Sequence, residues 1–204
     1  MPNIPVIGLV GGIGSGKSLV GSMLADLGCL VCHSDELARS ALADPAVRDE
    51  LVRWWGREVL DPSGAVDRRA VAGKVFPDPA ERKRLEALLH PRIESARRRT
   101  FAAAPPGTRA LVIDAPLLLE VGLDRECDAV LYIDSPREDR LRRLAETRGW
   151  DSAELERRES AQWPLDRKRA AAHHVLVNAG NQPALRSEVQ KALEAAERTF
   201  RAAR

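Results

Sequence analysis

The chain has 204 residues, of which 44% are hydrophobic and 30% are charged, a composition that describes a globular protein and excludes a disordered or fibrous one. A formal net charge of +2 and an aromatic content of 4% argue against nucleic acid as the main partner. The longest apolar run, residues 4–14, is too short and too rich in glycine to span a membrane, and the start does not resemble a secretory signal, so we predict a cytoplasmic protein.

Short apolar segments alternate with longer amphipathic segments along the chain. The apolar segments are rich in Val, Ile and Leu, and the alternation predicts an α/β fold with a largely parallel sheet flanked by helices. Strands are predicted at residues 6–10, 29–32, 110–113, 129–133 and 175–177. Helices are predicted at residues 17–27, 35–43, 46–55, 79–89, 91–103, 136–148, 152–162 and 183–201.

Two regions interrupt this alternation. Residues 46–104 contain no convincing strand, so we predict a helical insertion there, divided into separate helices by breakers that include His90-Pro91. Residues 137–172 hold ten Lys or Arg and eight Asp or Glu, and they predict a mobile helical hairpin. We therefore expect one domain over residues 1–204 that carries both additions.

The strongest motif is Gly-Gly-Ile-Gly-Ser-Gly-Lys-Ser at residues 11–18, which fits G-x-x-x-x-G-K-[ST], the P-loop. It follows a predicted strand and opens a predicted helix, as such a loop requires. Its glycines permit a compact turn with inward N–H groups, and the helix N-terminus adds positive potential, so the loop is suited to a triphosphate. We predict ATP contacts from Gly12, Ile13, Gly14, Ser15, Gly16, Lys17 and Ser18. Lys17 would neutralise the β- and γ-phosphates, and the Ser18 hydroxyl would ligate Mg²⁺.

The motif does not by itself fix the reaction. No lysine follows an asparagine, as the guanine-specific Asn-Lys-x-Asp motif requires, so a GTPase is not expected. A small-molecule kinase also needs a carboxylate near the acceptor hydroxyl, help for Mg²⁺, and arginines for the transferred group.

Two aspartates are candidates for these roles. Asp35 follows the second predicted strand and precedes a helix, so it could be a general base at the carboxyl end of the sheet or simply a helix N-cap. Asp114 ends an apolar strand in the manner of a Walker B aspartate and could assist Mg²⁺, or it could be a cap or turn residue.

The cysteines and paired histidines indicate no separate chemistry. Three cysteines do not make a disulfide framework, and the C-x-x-C of Cys29 and Cys32 lacks the second pair that a zinc site needs. We interpret these cysteines as small apolar strand residues. The pair His173-His174 has no further ligands clustered with it in sequence and is interpreted as local packing or surface.

Four segments together resemble the dephospho-CoA kinase family. They are the P-loop, Ser-Asp-Glu-Leu-Ala-Arg at 34–39, Leu-Leu-His-Pro at 88–91 and Asp-Ala-Pro-Leu-Leu-Leu-Glu at 114–120, in the family's order. The resemblance implies a P-loop core, a helical CoA subdomain and a lid. It also implies that ATP phosphorylates the ribose 3′-hydroxyl of dephospho-CoA, the last step of coenzyme A synthesis, with Mg²⁺.

The resemblance also assigns roles to residues. Asp35 corresponds to the proposed base, and Arg140 and Arg148 would belong to the lid and approach the ATP phosphates. Asn178 and Gly180 would lie near adenine. The residues placed on the acceptor side, besides Asp35, are Arg39, Arg68, His90, Pro116 and Leu117.

Some positions depart from the family pattern. His33 stands where the family commonly has an aspartate, so the first of two carboxylates is absent. Leu19 replaces a frequent threonine, and its backbone amide can still meet phosphate although a hydroxyl contact is lost. Two alternatives remain at this point: a P-loop kinase for a nucleoside or a sugar, and an ATP-binding module without catalysis. The sequence leaves the oligomeric state open.

Overall fold

The structure is a computed structural model that describes residues 3–203. The chain divides into two compact units. The first comprises the chain up to His33 together with the chain from Ala103 onward, and the second is Ser34–Ala102. The second unit begins at Ser34, upstream of residue 46, where the sequence placed the start of the helical insertion.

A five-stranded sheet forms the centre of the first unit, and all of its neighbouring strands are parallel. The strand order is β2-β3-β1-β4-β5, with β1 in the middle. The α/β fold predicted from the alternating segments is thereby confirmed. The strands are β1 Val6–Gly11, β2 Leu30–His33, β3 Leu111–Asp114, β4 Ala129–Asp134 and β5 His174–Val177.

Nine α-helices occur between residues 3 and 203. They are α1 Lys17–Asp26, α2 Ser34–Leu42, α3 Pro45–Trp55, α4 Arg68–Val75, α5 Pro79–Ala102, α6 Arg137–Arg148, α7 Ser152–Glu159, α8 Leu165–Ala170 and α9 Gln182–Ala202. Short 3-10 helices lie at Arg57–Val59 and Leu123–Glu126. Within the described part of the chain, no helix combines the length and apolar character that crossing a membrane would need.

The core of the first unit lies between the sheet and the helices α1 and α9. Strand residues such as Leu9 and Leu131 are fully buried and form one cluster with Leu24 of α1 and Leu193 of α9. Helix α9 begins where the Asn181 side chain accepts a hydrogen bond from the backbone N–H of Ala184 at 3.1 Å. Burial of the apolar stripe of α9, more than helix propensity, therefore fixes its position.

The second unit contains α2 to α5 around a small core of its own. This core contains Val47, Leu51, Val59, Val71 and Leu89. Apart from an isolated antiparallel bridge between Leu60 and Val66, the described residues of this unit form no strand pairing. Helix α4 was not predicted, because its eight residues carry only one buried side chain and hence almost no apolar periodicity.

Helix α5 corrects the break predicted at His90-Pro91. It runs without interruption from Pro79 to Ala102 with Pro91 inside it. Proline removes one helical donor, which alone does not end a helix that is packed along its length. The Arg92 guanidinium donates to the carbonyl of Leu88 at 2.8 Å, so a carbonyl in this turn gains a side-chain donor.

Residues 137–172 fold as α6, α7 and α8, where the sequence predicted two helices. Helix α8 was missed, since its six residues follow Pro164 and give too short a pattern to detect. Surface ion pairs join α6 to α7, and Arg137 donates to both Ser152 Oγ and Glu156 Oε1. We call residues 137–172 the arm.

A buried ion pair joins the end of the arm to the segment after β3. Lys168 is 1% exposed, and its Nζ lies 2.9 Å from Glu120 Oε1 and 2.8 Å from Gln162 Oε1. The same carboxylate oxygen accepts from the backbone N–H of Trp163 at 2.9 Å. Burial alone would raise the pKa of Glu120, but these hydrogen bonds outweigh it and lower the pKa below its ordinary value. The carboxylate therefore stabilises the fold above its ordinary pKa, and this contribution is lost as the pH falls.

This pair gives a prediction about stability. Lys168→Ala leaves the Glu120 charge buried without its partner, so we expect the free energy of unfolding at pH 7 to fall by about 3 to 5 kcal/mol. The double variant Lys168→Met with Glu120→Leu removes both charges and is expected to regain most of that loss. Urea unfolding followed by circular dichroism measures both. Equal losses in the two variants would show that side-chain packing, and not the buried charge, is responsible.

Candidate active site

The P-loop lies between β1 and α1, and its glycines are required by conformation and by space. Gly14 and Gly16 have φ angles of 78° and 95°, in the left-handed region that side chains disfavour. A Cβ on Gly16 would lie 2.3 Å from Nδ2 of Asn178, which is closer than any real contact. The loop can therefore take this shape only with glycine at position 16.

Three consecutive carbonyls of the loop are each held by a side chain from the second half of the chain. Arg140 Nη1 donates to the carbonyl of Ile13 at 3.1 Å, and Arg143 Nη1 donates to that of Gly14 at 3.2 Å. Asn178 Nδ2 donates to the carbonyl of Ser15 at 2.8 Å. Carbonyls that turn toward the protein leave the N–H groups of the loop directed to its other side, where an anion binds.

Lys17 and Ser18 begin α1, immediately after the loop. Lys17 Nζ lies 3.4 Å from the carbonyl of Gly11 and 3.5 Å from that of Gly12, so the ammonium group reaches back over the loop. Ser18 is exposed in the first turn of α1. Leu19 packs its side chain against the core of the unit. This end of the helix thus presents a cation and a hydroxyl beside the loop.

Arg140 and Arg148, both assigned to ATP phosphates by resemblance, occupy different surroundings. Arg140 is 4% exposed and forms an ion pair with Glu159 of α7. A Cβ on Gly12 would lie 2.8 Å from Arg140 Nη1, so this guanidinium group packs directly on the loop. Arg148 is exposed, lies 5.0 Å from the centre of the Trp150 ring, and makes no hydrogen bond to the loop within the described residues.

The end of β5 supplies Asn178 and Gly180. Asn178 is buried, its backbone N–H donates to the carbonyl of Asp134 at 2.7 Å, and its side chain is occupied by the P-loop. Gly180 is exposed and has a φ angle of 94°. The structure therefore brings Asn178 to the P-loop as a support of its backbone.

Asp114 lies at the end of β3, directly beside β1 and β2. It is in register with Leu9 of β1 and His33 of β2. Its Oδ2 is 3.1 Å from Nδ1 of His33. The Ser18 hydroxyl and the Asp114 carboxylate are hard oxygen ligands of the kind that Mg²⁺ prefers.

Residues 3–203 contain no group of three or more His, Cys, Asp and Glu that could hold a metal.

The residues assigned to the acceptor lie mostly in the second unit. Asp35 is exposed in the first turn of α2, and Arg39, one turn later, donates from Nε to the Asp35 carbonyl at 3.3 Å. No backbone N–H of the described chain donates to the Asp35 carboxylate, so it does not act as a cap. Arg68 begins α4, and His90 lies on α5; both are exposed.

Pro116 and Leu117 belong to the first unit and follow β3. Leu117 is 41% exposed, which is unusual for a leucine of this unit, whereas the adjacent Leu118 is fully buried. Leu118 contacts β1, because a Cβ on Gly8 would lie 2.9 Å from its Cδ1. The segment is thus anchored by Leu118 and exposes the preceding Leu117.

Sequence reasoning missed Arg143 and Glu159. Arg143 joins three segments, since it donates to the carbonyl of Gly14, to Ser135 Oγ at 2.9 Å and to the carbonyl of Asn178 at 3.3 Å. Its spacing of three residues from Arg140 places both side chains on one face of α6, and this was the available signal. No sequence pattern indicated Glu159, because its partner Arg140 lies on α6, across the turn between α6 and α7.

The remaining candidates for metal or redox chemistry are structural. Cys29 and Cys32 are buried and unoxidised, and burial raises the pKa of the Cys29 thiol to about 11. A neutral thiol is a poor nucleophile and a poor metal ligand. His173 Nδ1 accepts a hydrogen bond from the backbone N–H of Val130 at 3.0 Å, which ties it to β4.

The geometry of Gly16 gives a prediction about nucleotide binding. Gly16→Ala forces Asn178 away from the loop and strains the backbone, so we expect at least a tenfold loss of ATP affinity. Gly21→Ala is the matched control, because position 21 lies inside α1 and its added Cβ would meet nothing closer than 3.7 Å. Titration calorimetry with ATP measures both variants. Unchanged affinity in Gly16→Ala would show that the loop shape described above does not bind the nucleotide.

Comparison with known proteins identifies the family of the chain. A sequence model of the family described as dephospho-CoA kinase matches residues 5–196. The chain is 42% identical to the dephospho-CoA kinase of Anaeromyxobacter dehalogenans over 191 residues, which is 92% of this chain and 90% of that protein.

Two solved structures extend the comparison. A Thermus thermophilus protein of known crystal structure superposes with a TM-score of 0.84 at 34% identity, covering 94% of this chain and 97% of that one. The dephospho-CoA kinase of Campylobacter jejuni superposes with a TM-score of 0.69 at 20% identity, covering 95% of this chain and 97% of that one, and supports the fold alone. The matched family model and the sequence relatives show that the chain belongs to the dephospho-CoA kinase family.

Proposed function

We propose that this chain transfers the γ-phosphoryl group of ATP, bound with Mg²⁺, to the ribose 3′-hydroxyl of dephospho-CoA, which gives coenzyme A and ADP. The observation that carries the proposal is a P-loop whose carbonyls are held by protein side chains, away from the expected phosphate side, in a chain of the dephospho-CoA kinase family. Family membership does not favour a nucleoside or sugar acceptor or a module without catalysis.

On the donor side, the N–H groups of the loop and the Lys17 ammonium would bind the β- and γ-phosphates. Arg140 packs on the carbonyl side of the loop and pairs with Glu159, so contact with phosphate would require it to exchange Glu159 for the nucleotide. These groups stabilise the transferring phosphoryl group by position and electrostatics, which are the main demands of this reaction.

Ser18 and Asp114 are the residues that would hold the magnesium ion, directly or through its water. The bound ion would neutralise phosphate charge and keep the γ-phosphate aligned for in-line transfer. Asn178 and Arg143 take part by fixing the loop backbone, and Gly180 leaves space at the end of β5 for the base, as the family resemblance implies.

On the acceptor side, Asp35 would orient the ribose hydroxyl and accept its proton. Its carboxylate is exposed and free of any capping bond within the described chain, so it is available to a substrate. The exposed cationic side chains of Arg39 and Arg68 suit the phosphate groups of dephospho-CoA. His90, Pro116 and Leu117 complete the proposed acceptor contacts.

The first test is the reaction itself. Incubation with Mg²⁺, ATP and dephospho-CoA is expected to add one phosphoryl group to the acceptor, detected by mass spectrometry. Lys17→Ala removes the cation at the phosphates and is expected to lower turnover at least a hundredfold. Lys191→Ala, an exposed lysine on α9, is the matched control and should retain full activity. An acceptor that stays unmodified at varied pH and metal would refute the proposed substrate.

The second test concerns Asp35. Asp35→Asn keeps the shape of the side chain but removes the proton acceptor, so we expect kcat to fall by about 10² to 10⁴ with unchanged ATP affinity. Glu36→Gln neutralises the exposed neighbour in the same turn of α2 and should leave kcat unchanged. Steady-state kinetics with both substrates separates the two variants. Equal turnover of Asp35→Asn and the unmodified protein would exclude Asp35 as the base.

A further inference from the structure

The ends of β2 and β3 place a histidine against an aspartate in the first unit. His33 and Asp114 are the last residues of these strands and lie opposite each other in the parallel register. His33 Nδ1 and Asp114 Oδ2 are 3.1 Å apart, and the two side chains are 38% and 13% exposed. The aspartate is therefore the more enclosed of the two partners.

The chemistry of the pair fixes the direction of this hydrogen bond. An ionised carboxylate can only accept, so Nδ1 of His33 carries the hydrogen and donates to Oδ2. One carboxylate oxygen is then occupied, and the rotation of the Asp114 side chain is restricted. The other oxygen is left for a ligand at the carboxyl end of the sheet, where the P-loop begins after β1.

The identity of residue 33 matters because of its distance to Asp114. An aspartate at this position, as the family resemblance leads one to expect, would set two negative charges side by side on neighbouring strands, and the repulsion would disfavour ionisation of one of them. A histidine instead offers a donor. This chain thus provides a single carboxylate with a fixed partner in place of two carboxylates.

We infer that His33 is a positioning residue for Asp114: it holds the carboxylate in the orientation in which its free oxygen assists the magnesium ion of Mg·ATP. The inference rests on the proposed function only for the identity of the nucleotide complex. Partners that orient a metal-binding group typically contribute 10- to 100-fold to metal affinity. His33 acts through Asp114 and does not itself contact the metal.

The test measures metal binding and needs no acceptor substrate. Mn²⁺ is titrated into the protein with a non-hydrolysable ATP analogue, and free Mn²⁺ is read by electron paramagnetic resonance. We expect His33→Ala to weaken Mn²⁺ binding about tenfold. His33→Asn is expected to stay within about threefold of the unmodified protein, because its amide nitrogen takes the place of Nδ1. Thermal unfolding of each variant shows whether it is folded at the assay temperature.

A double-variant cycle separates positioning from an independent effect. If His33 acts through the carboxylate, His33→Ala causes no further loss of Mn²⁺ affinity once Asp114→Ala is present. The inference is overturned if His33→Ala alone leaves the affinity within twofold, if His33→Asn is as weak as His33→Ala, or if the two losses multiply in the double variant. Absence of phosphorylated dephospho-CoA in the activity assay would refute the proposed function, whereas the Mn²⁺ comparison would remain decisive for His33.

Discussion

A phosphate-binding loop that turns its N–H groups toward the bound anion must turn its carbonyl groups to the opposite side, where they face the rest of the protein. Buried carbonyls require donors, and here Arg140, Arg143 and Asn178 supply one each to three consecutive residues. The shape of the loop therefore depends on side chains more than a hundred residues away. The side chains that support the loop come from α6 and from the end of β5.

The arm is held by ion pairs that differ in how deeply they are buried. Near α7 the buried Arg140 pairs with Glu159, while the exposed pair of Arg137 with Glu156 contributes little. Near α8 the buried Lys168 and Glu120 pair cannot be broken without leaving a charge in a dry environment.

The carboxyl ends of β1, β2 and β3 bring together the P-loop and the residues of the proposed magnesium site. Parallel strands all end at one edge, so the P-loop after β1, His33 at the end of β2 and Asp114 at the end of β3 meet there although they are far apart in sequence. Asp35 follows His33 by two residues and begins the helical second unit.

The sequence by itself determined the α/β class, all five strands to within one or two residues, and the P-loop, because strand burial and glycine spacing are local patterns. It also identified the family, since the four motifs lie in the family's order along the chain. It did not show that α5 continues through Pro91, nor the existence of α4 and α8, because these depend on packing that short or interrupted patterns do not encode. Only the tertiary structure assigned partners: Glu159 to Arg140, Arg143 to the loop, and His33 to Asp114. Such pairings depend on strand register and helix placement, and these are decided by how the whole chain buries its apolar surface.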